Sequence, residues 1–165
     1  MNKRVLLGLV GILVIVVSLA AHYRMEENQG PVYTVPAPPV RTEGLAIEEA
    51  QEKVQFKILE PEYLPAGFRV VSVYVQEETV MFLYEDDQGR RITITEWKAP
   101  TYEHHPYPGE EEVTINGKKG FFSVPGPYNL LWNCKDVVIS LTADLTGGRD
   151  SVKEEMIRIA QSMEC

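Results

Sequence analysis

The chain offers little sulfur or imidazole chemistry: two cysteines, Cys134 and Cys165, and three histidines in 165 residues. The cysteines are not in C-x-x-C spacing, which removes the usual redox and zinc-ribbon patterns. No glycine-rich phosphate loop occurs, and Ser123, Ser140 and Ser151 lack nucleophile-elbow surroundings. Basic residues are also scarce where it matters. All 24 acidic residues follow Arg24 but only 13 of the 16 Lys and Arg do, leaving about −11 on that stretch. Such a surface is unsuited to nucleic acid, whose phosphates need Lys/Arg neutralisation, and is repelled by anionic lipid headgroups. Its ordinary consequence is solubility; attraction of a cation or a basic partner is the other.

Charge is missing altogether from residues 5–21, one unbroken apolar run flanked by Lys3, Arg4 and Arg24. At 1.5 Å per residue such a helix is about 26 Å long, enough for a thin hydrocarbon core. The basic residues before it favour a cytoplasmic N-terminus, so the expectation is a single-pass anchor with everything after it extracytoplasmic. A cleaved signal peptide is the rival. Ser18-Leu19-Ala20 presents small residues at the two positions a signal peptidase inspects, and cleavage near Ala20 would release the domain. The run exceeds a typical signal core, which favours the uncleaved anchor. No cysteine follows the segment, so lipoprotein processing is not expected.

Three parts follow from this: an anchor or signal segment over residues 1–24, a linker over 25–44, and an extracytoplasmic domain over 45–165. The linker holds Pro31, Pro36, Pro38 and Pro39 and no hydrophobic periodicity, so it reads as an extended standoff. Ile47, Ala50 and Val54 share a face, predicting a short helix over residues 45–53 that must pack on something to survive. From Phe68 the period changes to two, with Val71, Val73 and Val75 on one side and Val70 and Tyr74 on the other. Asp86-Asp87-Gln88-Gly89 predicts a turn, after which Ile92 and Ile94 alternate inward. A proline-rich loop over residues 98–110 interrupts the strands. They resume at Val113 and Ile115, turn at Asn116-Gly117, and later turn again at Lys135-Asp136. Ser151-Val152-Lys153-Glu154 predicts a capping box, opening a helix with Val152, Met156, Ile159, Ala160 and Met163 on one stripe. The fold class is α+β: an antiparallel meander of six to seven strands with a short N-terminal and a C-terminal helix packed on it, preceded by one transmembrane helix.

The run L-x-I-E-E-A-Q at Leu45 to Gln51, then F-K-I-L-x-P-x-Y-L-P-x-G-F at Phe56 to Phe68, resembles the domain of unknown function 4367 family. V-T-I-N-G-K-K-G at Val113 to Gly120, L-x-W at Leu130 to Trp132 and I-R-I-A-Q-S-M at Ile157 to Met163 are similar to its second half. The resemblance implies an extracytoplasmic domain of Gram-positive bacteria tethered by one membrane helix, with no assigned catalytic residues. Some relatives follow the membrane helix of anti-sigma-factor-like proteins or sit beside lipoprotein-sorting-like half-barrels. Only residues 1–4 precede the apolar run here, so a direct anti-sigma role is not expected.

Glu103-His104-His105, with Glu110, Glu111 and Glu112 nearby, is the one cluster that resembles a metal site. Adjacent histidines on an extended chain point to opposite sides, and zinc needs three or four converging ligands, so exposed loop polars are the expectation. No catalytic, cofactor-binding or metal residue is assigned, and no cofactor. Cys134 and Cys165 are expected to be independent thiols, although an oxidising compartment would permit a bridge. Tyr74, Tyr84, Trp97, Tyr102, Tyr107, Phe121, Phe122, Tyr128 and Trp132 are mostly expected in the core; any on an uncovered face would form a groove. The function expected is a non-enzymatic, membrane-anchored interaction or accessory domain. It would contact the membrane through residues 5–21 and an unknown protein or cell-envelope partner, in envelope or sporulation-related signalling. The alternative is a carrier of an apolar ligand on the sheet face. A metal-dependent hydrolase using His104 and His105 comes last.

Overall fold

A computed structural model describes residues 44–99, 101, 103–124 and 127–165. The expected anchor over residues 1–24 and nearly all of the linker over 25–44 lie outside the described residues. Among those described, no helix is long and apolar enough to cross a membrane.

The expected α+β architecture is present, as a short helix α1 (Ile47–Gln51), seven strands and a C-terminal helix α2 (Arg149–Gln161). The strands are β1 (Arg69–Gln76), β2 (Thr79–Glu85), β3 (Arg91–Lys98), β4 (Glu111–Ile115), β5 (Lys118–Ser123), β6 (Tyr128–Cys134) and β7 (Val137–Ala143). Every pairing is antiparallel, but the sheet is not one continuous meander. Its order is β1-β2-β3-β7-β6-β5-β4, so the second hairpin series is laid down backwards and β7 docks beside β3. The reason is burial. VVISLTA of β7 is the most apolar strand, and the centre of the sheet is where it loses most contact with water. EEVTI of β4 carries two glutamates and takes an edge, where charge discourages further pairing.

One face of the sheet forms the core. Val73, Phe82, Ile94, Leu141, Leu130 and Phe122 lie in one register row across six strands, all buried there. α2 covers the β4–β6–β7 half, with Val152, Met156, Ile159, Ala160 and Met163 buried as the stripe predicts. The β1–β3 half is covered by α1 and residues 53–68, an irregular strap with Val54, Phe56, Ile58 and Leu59 inward. An irregular buried strap must find partners for its backbone. Gln51 Nε2 donates to the Phe56 carbonyl at 2.7 Å and its Oε1 accepts Ile58 N–H at 2.9 Å. Glu62 N–H reaches the Ser162 carbonyl, Tyr63 N–H reaches Ser162 Oγ, and Tyr63 Oη donates to Glu155 at 2.5 Å. These contacts explain why the P-x-Y-L-P-x-G stretch is more than a turn: it ties the strap to the end of α2.

Several local expectations need correcting. Val71 does not face inward with Val73, because a bulge between Val70 and Ser72 resets the alternation and leaves both Val70 and Val71 exposed. The capping box is absent. α2 begins at Arg149, two residues before Ser151, after an extended Gly148, and no side chain caps it. Cys134 and Cys165 are not independent thiols but form a disulfide, with Cα atoms 5.2 Å apart. The final residue reaches β6 because α2 runs back across the core and Pro61 bridges to Met163. The predicted turns hold: Gly89, Asn116 and Gly117 all take positive φ, as does Lys135.

Candidate functional site

The opposite face of the sheet carries no helix among the described residues. Tyr74, Met81, Thr95, Ser140, Leu131 and Phe121 form its central row, each half-buried. Thr93, Thr95, Ser140 and Thr142 make a patch of hydroxyls along β3 and β7, and Trp97 pairs beside buried Val138. The aromatics thus divide between the faces. Tyr84, Phe122 and Trp132 are in the core, while Tyr74, Trp97 and Phe121 sit on the uncovered side. Tyr102 lies outside the described residues.

The loop over residues 103–110 crosses one end of that face. His104 Nε2 and Glu110 Oε2 are 2.7 Å apart, with both side chains nearly fully buried. The imidazole lies 4.4 Å from the Phe121 ring, and Tyr107 N–H donates to the same Glu110 oxygen. This pair fixes the loop to β5. His105 is exposed and takes no part. The run Glu110-Glu111-Glu112 splays as alternation demands. Glu110 meets His104, Glu111 crosses to Arg149 and Lys153 of α2, and Glu112 meets Lys119 on the uncovered side. The hydrogen bonds from Lys153 and Arg149 hold the Glu111 carboxyl below its ordinary range. The residues expected to be nearest a metal site are thus distributed over three partners, and among the described residues no three His, Cys, Asp or Glu converge on a point.

Between the loop and the sheet opens a cleft of about 520 Å³. Its apolar wall is Phe121 and Leu131; its polar rim includes Lys118, Lys119, Lys135 and Asn133, together with Glu103 and Glu112. The cleft exists because β5 and β6 pair only from Gly120↔Trp132 onward, so Lys118 and Lys119 diverge from Asn133 and the β6–β7 turn. Gly120 is needed at the point of divergence: a Cβ there would lie 2.7 Å from Ile115 Cδ1 and 3.3 Å from Val113 Cγ2. A second hollow, about 200 Å³, lies between Phe68, Arg90 and the start of α2.

One chemically unusual group lies away from both. Glu96 occupies the core face in phase with Ile92 and Ile94, is 0% exposed, and accepts the Leu59 N–H at 3.1 Å. Its other oxygen, Oε1, has no hydrogen-bond partner among the described residues. Burial pushes the Glu96 carboxyl up to about 8, against the Leu59 hydrogen bond and helped by the charge of Glu60. Burial likewise raises the Tyr84 phenol. The sequence reading overlooked Glu96, although I-T-I-T-E places it in the inward register. It serves the strap, since it satisfies a buried backbone donor that no strand neighbour reaches.

A family model described as Domain of unknown function (DUF4367) matches residues 58–163. The match runs from the strap to the end of α2's packing stripe. No curated protein and no solved structure matches the chain.

Proposed function

The chain belongs to the domain of unknown function 4367 family, and on that premise we propose that it is a non-enzymatic interaction module held at the outer side of the cell membrane. The observation that carries this is the sheet's division of labour. One face is filled by the protein's own helices and strap; the other presents a neutral, half-buried row from Tyr74 to Phe121. A row of aromatic, thioether and hydroxyl side chains without net charge suits docking of another molecule in cell-envelope or sporulation-related signalling. The apolar run over residues 5–21 supports the membrane tether, and the Cys134–Cys165 bridge supports an oxidising compartment. Burial of Phe82, Ile94, Leu130 and Leu141 on the core face supports this reading over a carrier of an apolar chain.

The test uses the full chain in its own membrane. A photo-crosslinking residue at Thr95 should capture a defined envelope component that the same probe at Glu154 on α2 does not. Added protease should reach residues 45–165 only from the extracytoplasmic side. Equal capture from both positions, or cleavage only from the cytosolic side, would overturn the proposal.

A further inference from the structure

We infer that the cleft between β5, β6 and the loop over residues 103–110 binds a phosphorylated sugar or polyol. The charge pattern points there. In a chain of net charge −8, three lysines line one cleft, and only Lys119 has an ion pair there, with Glu112 at 3.1 Å. Lys118 and Lys135 are exposed and have no ion-pair partner among the described residues. Lys135 is presented from a turn in which it takes a φ of 59°, a conformation that costs a side-chain-bearing residue free energy. Lys118 and Lys119 are neighbours on one strand and would ordinarily face opposite ways. Both line this cleft, which lies just beyond the point where the β5–β6 ladder ends at Gly120.

The remaining walls narrow the ligand class. Phe121 and Leu131 supply a half-buried apolar surface that suits the C–H face of a sugar ring. Ammonium groups act as point charges on phosphate oxygens rather than as planar forks for carboxylate. The volume of about 520 Å³ suits one or two sugar units, not a macromolecule. Glu103 and Glu112 also face the opening, so a dense polyanion is disfavoured and a single phosphate with hydroxyls is favoured. Free polyol phosphates and glycerol-phosphate lipid headgroups share this chemistry.

Phe121 and Leu131 line the cleft, so their amide NMR signal in the full chain in neutral detergent micelles can report binding. Glucose 6-phosphate and glycerol 3-phosphate should shift the signal, whereas glucose and glycerol should not. Lys118→Ala with Lys135→Ala should weaken binding about tenfold, and raised salt should weaken it further. Lys57→Ala, far along the chain on the strap, should leave it unchanged. The double variant alters two exposed side chains, so its melting temperature should match the parent. Binding to free polyol phosphate alone would make the source soluble. Added binding to phosphatidylglycerol vesicles, lost in the same double variant, would make it a lipid headgroup. Equal responses to glucose and glucose 6-phosphate, no response to either phosphate, or binding indifferent to both lysines would overturn the inference. None of these outcomes bears on the Thr95 crosslink, which tests a different part of the face.

Discussion

Replacing Glu96 with glutamine should remove most of the loss of stability that this protein suffers as pH rises from 5 to 8. In the folded chain the carboxyl is pushed up to about 8, while in the unfolded chain it titrates near the ordinary 4.5. Between those values the folded protein holds a proton that the unfolded chain has released. Rising pH therefore favours unfolding: the contribution is fully present below about 4.5 and is lost as pH climbs towards 8. Each unit costs about 1.4 kcal/mol, so the window is worth about 5 kcal/mol, a large share of a stability of about 5–15 kcal/mol. Glutamine keeps an oxygen for the Leu59 N–H and carries no charge, but brings an amide N–H₂ with no partner in place. At pH 5 the variant should match the parent or fall about 1 kcal/mol below it; by pH 8 it should exceed it by several kcal/mol. Urea unfolding of both proteins at pH 5, 6, 7 and 8 measures this. Subtracting the two curves cancels every other titrating group. A difference that stays constant across the four values would refute the assignment of a buried, protonated Glu96.

On the acid side the sign reverses. Burial raises Asp86, but hydrogen bonds from the Arg90 side chain and from the Arg90 and Gln88 N–H groups outweigh it and hold the carboxyl low. Its contribution should vanish as pH falls below the ordinary carboxylate range, and Asp86→Asn should flatten the acid limb of the same urea series. Reducing Cys134–Cys165, or replacing both with serine, frees a closure spanning 31 residues. The chain-entropy relation puts the loss at about 3.7 kcal/mol, readable as a lower melting temperature in dithiothreitol. Gly120→Ala should cost about 1–3 kcal/mol through the clash with Ile115 Cδ1. Adding Ile115→Val, which deletes that methyl, should recover part of it. His104→Ala should cost about 1–3 kcal/mol by withdrawing the ring that Glu110 binds. Its clearest readout is faster proteolytic nicking within residues 103–109.

What could be read from the sequence is what neighbouring residues decide among themselves. Alternation at Ile92 and Ile94, the Asn116-Gly117 turn and the stripe from Val152 to Met163 each express a local backbone preference, and each stands in the fold. The bulge at Val70–Ser72 was not legible, because the valines on either side alternate as if the strand were regular. Sheet order was hidden as well: β7 sits beside β3 because the most apolar strand gains most at the centre, a competition among strands far apart in the chain. The disulfide depends on α2 returning across the core, and the lysine cleft on two strands parting at Gly120. Glu96 lay in plain register, but only the strap placed over it shows why a carboxyl belongs there. Periodicity and turn chemistry belong to a few consecutive residues, whereas pairing, burial and electrostatic environment arise only when distant segments meet.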